Sequence, residues 1–198
     1  ANAEGREMMM YPFYIKMRVF DLKIWPTSLL FISTRLAQGD LYIGDSEGSI
    51  RRLVFEGSDS KKGLRDLVPQ KWSASASNHG LGILHMVAET QEGVMISIAS
   101  DISVKVWDSA TGANKKTFSN ENRSRFNAVF VDSFRQDVYL VDERGYLTVW
   151  NWISERTILC MCLNPSEPLL AVACNHNASE VYVLSPTRIE SYMIVRGL

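Results

Sequence analysis

The apolar residues of this chain fall into short runs that are separated by Gly, Pro, Ser, Asn and Asp. In one region the runs are Ile83–Val87, Val94–Ala99, Val104–Trp107 and Lys115–Phe118. The first two runs are almost continuously apolar, whereas polar and apolar residues alternate in the third. Continuous runs are typical of strands that are covered on both faces, and alternation is typical of strands covered on one. The pattern therefore predicts four consecutive strands in this region.

The same succession is predicted elsewhere along the chain. After the region above, the predicted strands are Asn127–Val131, Asp137–Val141, Leu147–Trp150 and Arg156–Leu159. Before it, they are Leu29–Ile32, Asp40–Ile43, Ile50–Phe55 and Gln70–Ser73, with an extended loop expected between Glu56 and Pro69. Towards the C-terminus they are Leu169–Ala173, Glu180–Leu184 and Ile189–Ile194, without an outer strand. Tyr14–Phe20 and Leu22–Trp25 read as the last two strands of a further, partial unit.

A repeated strand ending supports this division into units. Ile102–Asp108 ends in Trp-Asp and Gly145–Asn151 ends in Trp-Asn, with apolar residues at the same offsets. Ile15–Asp21 is a close copy with Phe20 at the position of the Trp, and two weaker copies have Leu53 and Tyr192 there. The five equivalent positions are therefore 33, 54, 43 and 42 residues apart. A period of roughly 40–45 residues with this ending is typical of four-stranded repeats.

On these residues the chain resembles the WD-repeat β-propeller family. The resemblance implies an all-β fold, a β-propeller of four-stranded antiparallel blades with about four to five blades present. We expect a single domain over residues 1–198. The expected blades are approximately 1–27 (partial), 28–74, 81–119, 126–160 and 168–198 (partial).

The number of blades leaves the closure of such a ring open. A closed propeller has about four to eight blades, and an open arc exposes strand edges that soluble proteins avoid. The chain could be a fragment of a longer propeller, could complete a ring with another chain, or could gain strands from its N-terminal residues. We favour the fragment, because no Met precedes Ala1 and the sequence stops abruptly at Leu198.

The resemblance also implies a structural brace inside the blades. In WD-repeat proteins a His near the start of the blade, an Asp in a later turn and the strand Trp form a hydrogen-bonded set. Carried over to this chain, the set is His79, Asp101 and Trp107, with Trp150 as the Trp of the next blade. Arg144 occupies the Asp position of that next blade, so only one blade is expected to have the complete brace.

Composition and charge narrow the classes of function. The chain is 46% hydrophobic and 22% charged with a formal net charge of −1, which is ordinary for a globular domain. The absence of a basic excess argues against nucleic-acid and anionic-membrane binding. No apolar run is long enough for a membrane span, and three cysteines do not form a disulfide framework. We expect an intracellular protein, cytoplasmic or nuclear.

Motifs that could suggest catalysis or metal binding have simpler explanations. Gly44–Gly48 matches the G-x-S-x-G motif of hydrolases, but a strand follows it where that motif requires a helix. Cys160 and Cys162 lie near Cys174 and His176, yet one intervening residue is fewer than zinc sites use between paired ligands. We therefore predict no catalytic residue, no cofactor and no metal site.

The leading functional hypothesis is a non-catalytic scaffold that binds other proteins or peptides through its loops. In this family the connections between blades and the turns between the second and third strands share one face, around the mouth of the central channel, and Arg and Trp are common anchors for partners. The candidate partner-binding residues are Arg123, Arg125, Trp152 and Glu47. Acidic or phosphorylated peptides are the expected partners, because guanidinium groups pair well with such anions. Other domains of a longer parent chain are further candidate partners.

The alternative is a propeller-fold hydrolase or metal-dependent enzyme with its active site at the mouth of the central channel. Such an enzyme needs several carboxylates or histidines from the first strands of different blades. The predicted first strands supply only His85 and Asn127, so the scaffold is preferred.

Overall fold

Fifteen β-strands make up the regular structure of a computed structural model of the chain, which describes residues 25–35, 38–55, 70–73, 78–175 and 179–194. The strands of the first sheet are β1 (Pro26–Arg35), β2 (Gln38–Asp45), β3 (Ile50–Phe55) and β4 (Gln70–Lys71). Those of the second are β5 (Ile83–Glu89), β6 (Val94–Ala99), β7 (Ser103–Asp108) and β8 (Asn114–Ser119). The third contains β9 (Phe126–Asp132), β10 (Asp137–Asp142), β11 (Tyr146–Asn151) and β12 (Arg156–Cys162). The fourth contains β13 (Ala171–Cys174), β14 (Glu180–Leu184) and β15 (Ile189–Met193).

Every sheet is an antiparallel meander in which each strand pairs with the next strand of the chain. The buried second strands explain the continuous apolar runs in the sequence. All six residues of β6 and all six residues of β10 are buried, because a neighbouring sheet covers each of their faces. The fourth strand lies at the edge of its sheet, and β8 accordingly alternates between half-buried and exposed residues.

Similar turns connect several of these strands. The first residue of each turn has a side chain that accepts hydrogen bonds from backbone N–H groups two or three residues ahead. The fifth residue of each turn adopts a positive φ. The pairs of first and fifth residues are Glu89 and Gly93, Asp108 and Gly112, Asp132 and Gln136, and Asn151 and Glu155. The repeated turn fixes the register of four hairpins.

The sheets pack face to face in chain order. Tyr42, Ile83 and Trp107 belong to the cluster between the first and second sheets. Val104, Phe126 and Trp150 belong to the cluster between the second and third, and a further cluster joins the third and fourth. The first strands of neighbouring sheets contact each other, so β1, β5, β9 and β13 lie side by side.

The predicted β-propeller is wrong, although the predicted all-β class is confirmed. The described residues form four separate antiparallel sheets, and none of these sheets is closed or propeller-like. The first and fourth sheets instead expose apolar side chains at the two ends of the row. A sequence period reports that a sheet unit recurs. It does not report whether the first and last units meet, because that depends on the angle between neighbouring sheets.

The strands of each sheet fall within one of the predicted segments or extend it by a few residues. The predicted segments 28–74, 81–119, 126–160 and 168–198 overlap the first to fourth sheets, which span residues 26–71, 83–119, 126–162 and 171–193. The predicted strands in residues 14–24 and the predicted loop at 56–69 lie outside the described residues. In the part of the chain that the structure describes, no helix is long and apolar enough to cross a lipid bilayer.

Candidate functional site: the connection face

Turns and connections share one face of the molecule, which we call the connection face. It comprises the turns between second and third strands (residues 45–49, 99–102 and 142–145) and the connections between sheets (residues 78–82, 120–125 and 163–170). A backbone hydrogen bond joins each connection to the turn of the preceding sheet. The bonds are His79 N to Gly48 O at 3.1 Å, Asn120 N to Ile102 O at 3.0 Å and Asn164 N to Gly145 O at 3.2 Å. The expected common face is therefore present.

Buried carboxylates shape two of these turns. Asp45 Oδ1 accepts hydrogen bonds from the backbone N–H groups of Glu47 and Ser49 at 3.0 and 2.8 Å. Asp142 Oδ1 does the same for the corresponding residues of its own turn, and both aspartates are fully buried. The glycine that follows, Gly48 or Gly145, has a φ near +80°. The backbone of the face is thus fixed by groups that lie beneath it.

His79, Asp101 and Trp107 are brought together as the resemblance implied, and Ser97 joins them. His79 Nδ1 lies 3.1 Å from Asp101 Oδ1, and His79 Nε2 lies 2.7 Å from Ser97 Oγ. The indole N–H of Trp107 donates to the same Ser97 Oγ at 2.8 Å. Because a carboxylate can only accept, the Nδ1–H group of His79 donates to Asp101. We call these four residues the His79 network.

Hydrogen bonds hold Asp101 in its charged form. Burial of the carboxyl by itself raises the pKa, but hydrogen bonds from His79, Ser103 and the Gly80 N–H outweigh burial and lower it well below its usual range. Asp101 also accepts from the N–H of Ser103 at 3.2 Å, which ties the network to the start of β7. The carboxylate therefore links the connection, the turn and the strand.

The order Ser97, His79, Asp101 has the geometry of a nucleophilic triad, but its environment is that of a buried brace. Ser97 is fully buried, and its oxygen already accepts the Trp107 indole N–H. A serine nucleophile must reach the substrate carbonyl, with donors placed for the developing oxyanion. Ser97 has no access to a substrate. The network connects the second sheet to the connection that precedes it.

Trp150 is not part of a comparable network. It lies in the cluster between the second and third sheets and stacks on Phe118 with a centroid distance of 5.1 Å. The third sheet holds its incoming connection differently. Asp142 Oδ2 accepts from the Asn120 amide at 3.0 Å and from the Ser124 hydroxyl.

Arg123 and Arg125 are exposed on the connection face, in the connection that precedes β9. Arg123 adopts a positive φ of 51°, and its N–H donates to Asn120 O at 3.0 Å. Arg125 forms an ion pair with Glu143 at 3.8 Å. Arg144, which was not predicted as a partner-binding residue, joins this group through a 3.0 Å hydrogen bond to Asn122 O. Three exposed guanidinium groups therefore lie on one connection and the adjacent turn.

The predicted role of Trp152 at the surface is wrong. Its exposed fraction is 4%, and it packs in the same cluster as Trp150. The turn after β11 folds back, and the Trp152 N–H donates to Gln136 O at 3.2 Å, which carries the indole into the core. Glu47 is exposed on the connection face, but it belongs to the turn of the first sheet and not to the arginine group.

A cleft of about 380 Å³ opens beside the arginine group. Its lining includes Glu143, Arg144, Tyr146, Cys162, Pro165 and Pro168. Glu167 also lines it and accepts hydrogen bonds from Thr187, Ser185 and Asn164, which lower the pKa of its carboxyl. The sequence placed both prolines between strands, and that was the only available signal for this cleft.

The cysteines do not form a metal site with the residues that the structure describes. Cys160 and Cys162 are exposed on β12, whereas Cys174 is half-buried in β13. Burial raises the pKa of the Cys174 thiol to about 12. Within the described ranges, no three His, Cys, Asp or Glu residues are placed to share a metal ion. His176 lies outside those ranges.

Comparisons with known proteins identify the fold and no more. No protein-family model matches the chain, and no curated protein sequence matches it. Among solved structures, the chain is similar to the computationally designed Ika4 protein, with a TM-score of 0.69 and 14% identity over 93% of this chain and 100% of that one. It is also similar to the computationally designed Ika8 protein, with a TM-score of 0.64 and 16% identity over 85% of this chain and 46% of that one. These structural similarities establish a shared all-β arrangement of the backbone, but at identities this low they do not indicate a function.

Proposed function

We propose that the chain is a non-catalytic protein-interaction scaffold of the WD-repeat type, which binds peptide segments or partner subunits through its connection face. The observation that carries this proposal is the cleft lined by Arg144, in which polar and apolar side chains are mixed and near which two further arginines are exposed. A concave surface with a few well-placed polar groups is the usual form of a binding site.

The rigid backbone of the connection face supports binding. Hydrogen bonds from connection to turn recur at three sheets, and buried Asp45 and Asp142 fix two of the turns. A preorganised surface loses little conformational entropy when a ligand binds, so more of the contact energy appears as affinity.

The charges of the site favour a peptide with one acidic or phosphorylated group beside an apolar residue. Arg123, Arg125 and Arg144 supply forked donors for an anion. Tyr146 and the two prolines of the cleft supply apolar contact area. The ionised Glu167, which also lines the cleft, would repel a second acidic group of the ligand, and this favours segments with a single anionic group.

The buried His79 network supports a non-catalytic role. It contains a serine, a histidine and a carboxylate in contact, and the polar atoms of Ser97 and His79 are occupied within the core. The sequence resemblance to WD-repeat proteins, which implied a hydrogen-bonded set of His, Asp and Trp, is in keeping with this structural use.

A peptide array tests the proposal directly. The array displays degenerate peptides with phosphoserine, Glu or Ala at the central position, and the wild-type chain is compared with an Arg123→Ala/Arg125→Ala/Arg144→Ala variant. Arg156→Ala is the matched control, since Arg156 is exposed on β12 away from the connection face. We expect retention of phosphoserine peptides over Ala peptides, a loss of at least tenfold in the triple variant and no loss in the control.

Two results would contradict the proposal. Equal binding of all three peptide sets would remove the anion from the proposed ligand. Equal binding by wild type and by the triple variant would remove the arginine group from the site.

A further inference from the structure

β12 is the outer strand of the third sheet, and among the strands that the structure describes none pairs with its outer edge. All of its residues are exposed apart from the half-buried Leu159. Its one charged side chain belongs to Arg156, the first residue, so that Thr157–Cys162 is uncharged. Ile158 and Met161 are 50% and 43% exposed. A long strand edge with apolar side chains and few charges is a template on which another strand can pair.

The other outer strands carry protection that β12 lacks. β8 contains Lys115 and Lys116, and β4 is very short and contains Lys71. β15 is shorter than β12 and contains Glu190. Proteins use short edge strands and charged side chains, above all Lys, to discourage pairing with another chain. The bare edge of β12 is therefore a specific feature of the third sheet.

Two residues of β12 direct their backbone polar groups to the free edge. Leu163 N donates to Gly145 O at 2.9 Å, in the register that joins β11 and β12. In an antiparallel pair, residues that exchange hydrogen bonds with the partner strand alternate with residues that do not. Leu163 and Met161 therefore bond to β11, whereas the N–H and C=O groups of Cys160 and Cys162 point away from it. An added strand finds two donors and two acceptors there.

This edge runs into the cleft beside the arginine group. Cys162, the last residue of β12, lines the cleft together with Arg144 and Tyr146. The Asn122 amide donates to Cys160 Sγ at 3.3 Å, which ties the strand to the connection that precedes β9. A ligand that occupies the cleft is therefore placed to continue along β12.

We propose that the ligand of the cleft is an extended peptide that adds to the third sheet as a further strand along β12. This inference rests on the function proposed above and specifies how the ligand binds. The anionic group of the peptide pairs with the arginine group, and the residues that follow it exchange backbone hydrogen bonds with Cys160 and Cys162. Antiparallel pairing is the more stable arrangement. Because β12 ends at the connection face, antiparallel pairing places the anionic residue at the N-terminal end of the paired segment.

The side chains of β12 define the chemistry of that segment. In strand addition, main-chain hydrogen bonds give affinity and side-chain contacts give specificity. The exposed Ile158 and Met161 offer apolar surface to the added strand, and β12 carries no carboxylate that would repel an anionic peptide. The expected ligand is therefore an acidic or phosphorylated residue followed by β-branched residues, which favour the extended conformation.

Fluorescence anisotropy with a labelled probe peptide tests the inference. The probe is phosphoserine followed by alternating Val and Thr residues, and each member of a series carries one backbone N-methyl group at a successive position. An N-methyl group removes a donor and blocks pairing on that side of the peptide. Only alternate residues of the added strand face β12. We therefore expect methylation at every second position to weaken binding at least tenfold, and methylation between these positions to change the Kd by less than about twofold.

Substitutions in the chain provide a complementary test. Cys160→Pro removes an outward N–H without removing a hydrogen bond to β11, so binding of the unmethylated probe should fall at least tenfold. Cys160→Ala keeps the N–H group and should bind like the wild type. Thr117→Pro is the matched control, because Thr117 holds the equivalent position on β8, where Asn120 N donates to Ile102 O as Leu163 N does to Gly145 O. Thermal melts verify that each variant folds.

The N-methyl series uses the wild-type chain, so it decides the question even if Cys160→Pro does not fold. Equal affinity for all methylated probes overturns the inference, and so does the absence of binding by the unmethylated probe at about 1 mM. A wild type that sediments as a dimer without peptide, and that Cys160→Pro dissociates, assigns the edge to a second copy and also overturns it. Binding that is lost in the triple arginine variant but does not depend on N-methylation leaves the proposed function standing while this inference fails.

Discussion

Removal of the Ser97 hydroxyl is the sharpest perturbation of the His79 network. In Ser97→Ala the Trp107 indole N–H loses its acceptor at 2.8 Å, and His79 Nε2 loses its partner at 2.7 Å. Both side chains are buried, so water does not replace the lost bonds. A buried polar group left without a partner costs about 1–3 kcal/mol. Two such groups lead us to expect a loss of roughly 2–4 kcal/mol in the free energy of unfolding.

Urea denaturation followed by tryptophan fluorescence measures this loss. Ser46→Ala serves as the control, because Ser46 is exposed in the turn of the first sheet and its substitution should change stability by less than about 0.5 kcal/mol. The midpoint should fall for Ser97→Ala while the slope stays constant, which indicates loss of stability without a change in the unfolded state.

A double-mutant cycle assigns part of the loss to the indole. Trp107→Phe removes the N–H donor, so Ser97→Ala made in that background strands one polar group fewer. We expect the two substitutions to couple by about 1–2 kcal/mol. A cost of less than about 1 kcal/mol for Ser97→Ala alone, or a coupling indistinguishable from zero, would refute the network as a stabilising brace.

Three further predictions follow from individual groups. The folded-state pKa of Asp101 is lowered, so its ionised form stabilises the fold above the unfolded pKa near 4, and this stabilisation is lost as the pH falls. We therefore expect Asp101→Asn to lower the free energy of unfolding by about 2 kcal/mol at pH 7 and by less at pH 3, as measured by urea titration. Gly145→Ala should lower the melting temperature far more than Gly93→Ala. Both glycines have a positive φ, but only a Cβ at position 145 would overlap the carbonyl of the next connection. Equal shifts in melting temperature would contradict this reasoning. Burial raises the pKa of the Cys174 thiol to about 12, so Cys174 should resist alkylation in the native protein at pH 8. The two exposed thiols of β12 should react under the same conditions. Mass spectrometry of the resulting peptides measures which cysteines are alkylated.

The strands were predictable because their periodicities reflect how many faces are covered. Val94–Ala99 has a continuous apolar pattern, and the structure assigns the same residues to β6 and buries all of them. Ser97 is the one polar residue of this run, and its position indicates a buried polar contact. A polar residue in a fully buried strand must find a hydrogen-bond partner, and His79 and Trp107 were already the expected members of a polar set.

Other features depended on long-range packing that no local pattern reports. Trp152 follows a strand end, where side chains are usually exposed, but the hydrogen bond from its backbone to Gln136 carries the indole into the core. The arrangement of the four sheets also depends on long-range packing. Repeats of 43 and 42 residues relate the second, third and fourth sheets, whereas the relation between the first and last sheets depends on the angles summed over every junction. The exposure of Arg123 and Arg125 was predictable, since both lie in a short polar connection.

The three connections solve one structural problem in different ways, and this difference bears on function. Each must be held to the turn of the preceding sheet by the same backbone bond. Beneath that bond, the second sheet uses the His79–Asp101 pair, and the third uses Asp142 with Asn120 and Ser124. His79, Asn120, Ser124 and Asp142 are buried, and the half-buried Asp101 is occupied by hydrogen bonds from His79, Ser103 and Gly80, so these groups are not available to a ligand. The exposed residues above them, such as Arg144, can therefore change binding without loss of the fold. That separation of roles is what an interaction scaffold requires, and it predicts that Arg144→Ala alters ligand affinity while leaving the melting temperature close to that of the wild type.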